Sequence, residues 1–339
     1  MNNLAEILLE SEVNYTSKPL LVHNGGEKNY ISFRDDVQRL ASALAARGAT
    51  RGARVILLAN NSPEWLASFF AINWSGAAAV PVNPALTASE VGAIAADCEP
   101  AVVIVEAGLL HLLGDLDATI PRLIIGGPAG NDWHGVVKAQ IPSALPSAVE
   151  HSDPVVIFYT SGTTGKPKGV MLTHGGMIFN VHMFSKHLQI TPSDRSLVVG
   201  SMAFMLHLIL NAVSGIKGGS TIYLLDRFKP ELALRSIEAN RISLLMAVPT
   251  IYVMMLNWLE ESKAKIDLSS IRWAISSGSS FPAALYHRAR RGLGFTVNDL
   301  WGLSECAPVT SYYPGADEEG RPDSCGRALP DCAVRVVDS

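Results

Sequence analysis

Short, wholly apolar runs recur along the chain: Val55-Ile56-Leu57-Leu58, Val102-Val103-Ile104-Val105, Leu123-Ile124-Ile125 and Val155-Val156-Ile157-Phe158. Runs of this length with no polar alternation predict strands buried on both faces. Between them the spacing turns helical. Val37, Leu40, Ala41 and Leu44 form the buried stripe of a helix that Ser32 is expected to cap and Gly48 to end. Asn61-Ser62-Pro63-Glu64 and Thr87-Ala88-Ser89-Glu90 read as helix starts, with Pro63 in a first turn. Asn2 to Asn14 predicts an amphipathic helix with Leu4, Ile7, Leu8 and Val13 on one side. Leu20-Leu21-Val22 and Tyr30-Ile31 predict a hairpin around Asn24-Gly25-Gly26, and Gly76 to Val82 leads into a further strand. Leu109 to Ser152 is poor in motifs and is expected to be a flexible connection, with Gly126-Gly127-Pro128 and Ile141-Pro142-Ser143 as surface loops. Strands alternating with helices predict parallel sheet and an α/β class.

One uncharged stretch, Leu197 to Ile216, approaches the length of a bilayer span. Ser201, His207, Asn211 and Ser214 interrupt it, and Gly200 divides it, so a buried strand followed by a buried helix is expected and no integral membrane segment. The 339 residues can hold one large α/β domain or two smaller ones. A net charge of −4 offers no basic surface for nucleic acid. Cys98, Cys306, Cys325 and Cys332 lack C-x-x-C spacing and are expected as free thiols of a reducing compartment. No basic residue precedes Lys18, so the N-terminus is not expected to be a signal peptide.

The candidate chemistry begins after Val155-Val156-Ile157-Phe158, at Tyr159-Thr160-Ser161-Gly162-Thr163-Thr164-Gly165-Lys166-Pro167-Lys168-Gly169. Glycines let a backbone turn and approach a ligand; hydroxyls, backbone N–H groups and Lys166 and Lys168 suit phosphate oxygens. A strand, a glycine-hydroxyl loop and two lysines in this order predict a phosphate site. It is not a Walker A loop, because Pro167 stands where that motif needs a hydroxyl.

Thr160 to Gly169 resembles the phosphate loop of the adenylate-forming enzymes: acyl-CoA synthetases, aryl-CoA ligases, luciferases and the adenylation domains of peptide synthetases. Further stretches match in order. Gly76-Ala77, Pro81-Val82-Asn83-Pro84, Leu86-Thr87 and Glu90 resemble family scaffold. Val248-Pro249-Thr250-Ile251-Tyr252 and Ile271 to Pro282 follow, the latter reading as a strand, a turn at Gly278-Ser279-Ser280 and a helix from Pro282. In the family the small residues of that turn pack on adenine. Leu300-Trp301-Gly302-Leu303-Ser304-Glu305 resembles the family's Tyr-Gly-x-Thr-Glu, with Trp301 for Tyr and Ser304 for Thr. Both replacements keep an aromatic plane and a hydroxyl.

The resemblance implies stacked sheets flanked by helices, with a first α/β part over 1–150, the phosphate loop, acyl pocket and adenine site over 151–320, and the start of a β-barrel over 321–339. Relatives continue into a small C-terminal lid domain that is absent from this sequence. The chain is therefore expected to be a truncated N-terminal adenylation domain, with Ala333 to Val337 as its last strand, packed on the main domain or on a neighbouring chain. Asp338 is not expected to be the ribose-binding acid. The resemblance also implies roles. Thr160, Lys168, His207 and Glu305 are catalytic. Thr160, Ser161, Gly162, Thr163, Thr164, Gly165, Lys166 and Lys168 bind the β- and γ-phosphates of ATP. Gly278, Ser279, Ser280, Trp301 and Gly302 frame adenine, Ser304 meets the α-phosphate, and Glu305 holds Mg2+. Phe204, His207, Val248 and Trp301 are expected in the acyl pocket. His207 stands open between two readings, beside the reacting carboxylate or in the core, and Leu210 replaces a glycine common in relatives. The implied reaction activates a carboxylic acid with ATP to an acyl-adenylate and passes it to the thiol of CoA.

Uncharged neighbours of His207 favour a hydrophobic fatty or aryl acid. No acid lies between Ser196 and Leu225 to pair with an ammonium, which argues against an amino-acid-activating domain loading a carrier-protein thiol. A non-catalytic ATP- or acyl-binding module is the other alternative. A cytoplasmic location, with peripheral membrane attachment as an option, is expected; the oligomeric state is open.

Overall fold

Asn3 fixes where order begins. In the computed structural model, which describes residues 1–128, 130–160, 167–313 and 321–337, its Oδ1 accepts the Ala5 N–H at 2.9 Å while the Asn3 N–H donates to Glu6. This capping box starts a 3-10 turn, Leu4–Glu6, that runs into α1 (Ile7–Tyr15). The chain then forms two compact units, Met1–Phe179 with Ser201–Phe204, and Asn180–Gly200 with Met205–Ser339.

In the first unit, β1 (Pro19–His23) and β2 (Gly26–Asn29) pair as a hairpin. The segment Tyr30-Ile31, expected as the second strand of that hairpin, is instead the first turn of α2 (Tyr30–Ala45). The cap is Asn29 and not Ser32: Asn29 Oδ1 accepts the Ser32 N–H at 2.8 Å, and Tyr30 turns into the core. Next come β3 (Arg54–Leu58), α3 (Pro63–Trp74), β4 (Ala78–Pro81), α4 (Ala88–Cys98), β5 (Val102–Glu106), β6 (Arg122–Ile125), α5 (Trp133–Lys138), β7 (Pro154–Thr160), β8 (Lys168–Thr173) and α6 (His174–His187). Ser62 caps α3, and Thr87 with Glu90 forms a capping box on α4. The sheet is six-stranded, in the order β6-β5-β3-β4-β7-β8, with β7 and β8 antiparallel and the rest parallel.

One face of this sheet, carrying Ile56, Leu58, Val80, Val103 and Val105, packs on Val91, Ile94 and Ala95 of α4. Each such aliphatic contributes about 1.5–3 kcal/mol by burial. The division drawn at residue 150 is displaced. β7 and β8 belong to the first unit, because β7 pairs in parallel with β4 at Ala79 and Val156. The stretch read as a flexible connection also has structure. Trp133 is buried in α5 and donates from Nε1 to Ser68 Oγ at 3.0 Å. The Ile141 and Gln140 carbonyls accept from Ser42 and Arg39 of α2.

In the second unit, β9 (Arg195–Val198) leads through a π-helical segment (Leu206–Val213) and α7 (Ser214–Lys217) to β10 (Thr221–Leu224). Then follow α8 (Pro230–Asn240), β11 (Leu244–Ala247), α9 (Pro249–Ser262), β12 (Trp273–Ser276), α10 (Ala283–Leu293) and β13 (Val297–Asp299). These strands are parallel in the order β13-β12-β11-β9-β10. From β9 the chain steps first to β10 and then back to β11 on the other side, so the strand order reverses between β9 and β11. Ligands of open α/β sheets lie beyond the carboxyl ends of strands at such a reversal. A three-stranded antiparallel sheet completes the unit: β14 (Trp301–Leu303), β15 (Ala307–Ser311) and β16 (Arg327–Ala328). Ala333 to Val337, expected as a strand packed on the domain or on another chain, has no strand pairing here and is exposed. Its alternating valines have no neighbouring strand among the described residues to cover them. No helix among the described residues is long and apolar enough to cross a membrane.

Candidate functional site

β7 and β8 flank the glycine-hydroxyl stretch and pair antiparallel. Thr160 faces Lys168 at the mouth of this hairpin, followed by Tyr159 against Gly169 and Phe158 against Val170. β7 is anchored by Val155, Val156 and Phe158, all buried, while Lys168 and Gly169 are exposed at the edge of the sheet. Ser161, Gly162, Thr163, Thr164, Gly165 and Lys166 lie outside the described residues. Gly169 is closely covered: a Cβ there would lie 3.0 Å from Ile157 Cγ2 and 3.1 Å from Tyr159 Cζ. The Tyr159 ring thus lies across the β8 backbone, and its hydroxyl donates to Asp97 Oδ2 at 2.5 Å. Burial, and then that carboxylate, push the phenol well above its ordinary range. Directly after β8, His174 is buried and its Nδ1 accepts the Leu4 N–H at 3.0 Å. Burial lowers its pKa to about 4, so it is neutral.

In the second unit the predicted residues gather at the carboxyl ends of the parallel strands. Val199-Gly200 follows β9, Val248 follows β11, Ser277 to Ser280 follow β12, and Leu300-Trp301 follow β13. Gly278 takes a left-handed φ of 90° that turns the chain toward α10, and a Cβ on it would lie 3.3 Å from Val248 Cγ1. Val248 and the Gly278-Ser279-Ser280 turn are therefore adjacent. Gly278, Ser279 and Ser280 present an exposed surface of small residues.

Trp301 to Glu305 forms β14 and the tight connection to β15. A Cβ at Gly302 would overlap the Ala307 carbonyl oxygen and lie 2.9 Å from Pro308 Cα, so only glycine lets the two strands close. Ala307 itself adopts a φ of 64°. Trp301 is 45% exposed, and Glu305 is exposed at the hairpin tip. Ser304 sits beside it, half-buried.

His207 is buried in the first turn of the π-helical segment, its ring against Gly200, where any Cβ would collide with it. Burial lowers its pKa to about 4, and its buried Nδ1 has no hydrogen-bond partner among the described residues. A neutral imidazole with one unused nitrogen can donate or accept a single hydrogen bond. Phe204 belongs to the first unit and is half exposed. Two cavities of the molecule are lined by other residues: one of about 680 Å³ by Leu256, Leu259, Ile266 and Leu268, one of about 790 Å³ by Gly92, Ala95, Leu113 and Ile120.

Sequence reading passed over Asp299. It is half-buried at the end of β13, in register with Ser276 of β12. Its Oδ2 accepts the Phe281 N–H at 3.3 Å, while its Oδ1 and the Ser276 Oγ are buried without partners. Burial raises the Asp299 pKa, opposed by the Phe281 and Leu300 N–H groups. An acid immediately before Leu300-Trp301 at a strand end was the available signal.

The family described as AMP-binding enzyme matches residues 9–339. The indoleacetate–CoA ligase of Aromatoleum aromaticum is 31% identical over 317 residues, which cover 91% of this chain and 61% of that protein. The crystal structure of the anthranilate CoA ligase AuaEII in complex with anthranoyl-AMP is similar with a TM-score of 0.88 at 26% identity, over 97% of this chain and 64% of that one. The inhibitor-bound N-terminal domain of FACL13 from Mycobacterium tuberculosis has a TM-score of 0.86 at 25% identity, over 97% of this chain and 83% of that one. The chain thus spans 61% of the length of the curated ligase and 64% of the AuaEII chain.

Proposed function

This chain belongs to the AMP-binding enzyme family, and from that premise we propose that it is the adenylate-forming N-terminal part of an acid–CoA ligase for a hydrophobic acid. The reaction takes the carboxylate of an aryl or fatty acid onto the α-phosphate of ATP in line, with pyrophosphate leaving. The acyl group then passes to the thiol of CoA. The observation that carries this reading is the β7–β8 hairpin, which sets Thr160 and Lys168 face to face at the mouth of the phosphate-loop sequence.

In this reading Thr160, Lys168 and the loop residues Ser161 to Lys166 hold the β- and γ-phosphates, and Ser304 meets the α-phosphate. Gly278 to Ser280, Trp301 and Gly302 form the adenine wall. His207, Val248 and Trp301 line the acyl pocket. Catalysis of this kind rests on positioning and charge neutralisation. His207 is neutral at physiological pH, so it orients a carboxylate as a hydrogen-bond donor without adding charge.

Glu305 suits Mg2+. It is exposed and has no hydrogen bond or ion pair among the described residues, where no group of three His, Cys, Asp or Glu side chains is present either. A single carboxylate supplemented by phosphate oxygens and water is how this hard cation is commonly held. Bound there, Mg2+ would offset the negative charge of the phosphates.

The names of the relatives favour aryl acids: indoleacetate, 3-hydroxybenzoate and ferulate. Pyrophosphate release from Mg2+–ATP across a panel of acids tests the reading. Aryl and medium- or long-chain acids are expected to lead, with acetate and free amino acids far behind. An amino acid as the best substrate would reverse the assignment to an amino-acid-activating domain.

A further inference from the structure

The hydroxyl of Tyr159 has a use that the phosphate-site reading leaves open. β7 registers with β4 at Ala79 and Val156, so Tyr159 and Thr160 project beyond that pairing. Among the described residues β8 is the edge strand of the sheet. At the mouth of the hairpin it is held within the sheet by its ladder with β7, and edge strands fray. Tyr159 supplies a second tie. Its ring covers Gly169, the residue next to Lys168, and aromatic cover of a glycine on the facing strand holds that strand in register. Its hydroxyl then reaches the last turn of α4 and donates to Asp97 Oδ2 at 2.5 Å.

That helix end is itself fixed. Arg54 of β3 donates from Nε to the Cys98 carbonyl at 2.6 Å and from Nη2 to the Glu99 carbonyl at 3.1 Å. A continuous line of contacts runs from β3 through Arg54, the end of α4, Asp97 and Tyr159 to Gly169. Burial pushes the Tyr159 phenol up, so it keeps its proton and remains a donor throughout the working pH range.

We propose that Tyr159 and Asp97 are a positioning pair that holds Lys168 opposite Thr160 for phosphate binding. The inference rests on the phosphate-site reading above. The pair touches no substrate, and its effect is to restrict where the Lys168 ammonium can go.

The test uses this chain with Mg2+–ATP, measured by calorimetry, beside the rate of tryptic cleavage after Lys168 and the thermal midpoint. Tyr159→Phe removes the hydroxyl alone, and Asp97→Ala removes the acceptor. Each is expected to weaken ATP binding about fivefold, the effect of one lost hydrogen bond, and to speed cleavage after Lys168. The double variant should be no weaker than either single, because both remove the same contact. Asp97→Asn keeps a carbonyl acceptor and is expected to retain most of the affinity.

Wild-type affinity and cleavage in Tyr159→Phe would overturn the pairing while leaving the phosphate-site reading intact. Additive losses in the double variant would also overturn it. So would losses that follow the thermal midpoint and are not restored in Asp97→Asn, because they would give the pair a structural role only. A wild-type chain that does not bind Mg2+–ATP would remove the functional reading, and this inference with it.

Discussion

Two hairpins carry most of the candidate chemistry, and they are held by opposite means. β7–β8 grows from a six-stranded sheet in which Val155 to Phe158 of β7 are buried on both faces. β14–β15 belongs to a three-stranded sheet with Trp301 and Leu303 about half exposed. Each has a glycine at the close approach of its strands. At Gly169 the crowding atoms belong to side chains, Ile157 and Tyr159; at Gly302 they are backbone atoms of Ala307 and Pro308. Side chains can move by a few tenths of an ångström at modest cost, whereas a backbone that closes a turn cannot. The first hairpin draws its order from the sheet beneath it, and the second from a local geometry that only glycine permits.

Alanine substitution separates the two most sharply. Gly302→Ala is expected to lower stability by about 3 kcal/mol, as overpacking against fixed atoms does. Gly169→Ala should lose about 1 kcal/mol, with the Tyr159 ring shifting. Chemical denaturation of both variants measures this, and equal losses would break the comparison.

Acid should strain both units, and the second more, since burial lowers the pKa of His174 in the first and of both His187 and His207 in the second. His174 and His207 have pKa values lowered by burial to about 4. An unfolded histidine titrates near 6.5. Between those values the unfolded state binds more protons, so stability is complete above about pH 6.5 and falls as pH drops toward 4. The loss approaches about 3 kcal/mol for each of these two histidines. Denaturant midpoints at pH 7 and pH 4.5 check it, and His174→Gln should remove the contribution of the first unit alone. A midpoint that does not change with pH would contradict the burial of both rings.

Glu305→Gln tests function without touching the hairpin's geometry. The side chain is exposed, so the thermal midpoint should stay within about 2 °C. Adenylation in the full protein should fall by well over tenfold, or at least about 1.4 kcal/mol of transition-state stabilisation. Wild-type turnover would take Glu305 out of the metal site. The smallest effect is expected at Ser304. Ser304→Thr restores the hydroxyl type common in relatives, and turnover should change by less than about threefold, the scale of a retained hydrogen bond. A larger loss would show that the space beside the second hairpin is tighter than a hydroxyl alone requires.

Much of this was legible in the chain itself. The apolar runs at Val55, Val102 and Val155 became buried strands, because nothing but an interior accepts them. Ser62 and Thr87 capped the helices they precede, because an oxygen beside free N–H groups is a local fit. The motif at Thr160 to Gly169 and the one at Leu300 to Glu305 marked the family through residue type and order.

Tertiary structure decided the rest. Tyr30-Ile31 has the composition of a strand, but Asn29 captures the Ser32 N–H and starts a helix there. Nothing in the spacing of His207 sets its ring against Gly200; the packing of the π-helical segment on the end of β9 does. Asp97 offered no signal at all, since its partner Tyr159 lies 62 residues away. Local periodicity and capping are governed by neighbours along the chain, so the sequence determines them by itself. Which atoms crowd a glycine, and which carboxylate meets a phenol, depends on how distant segments pack together.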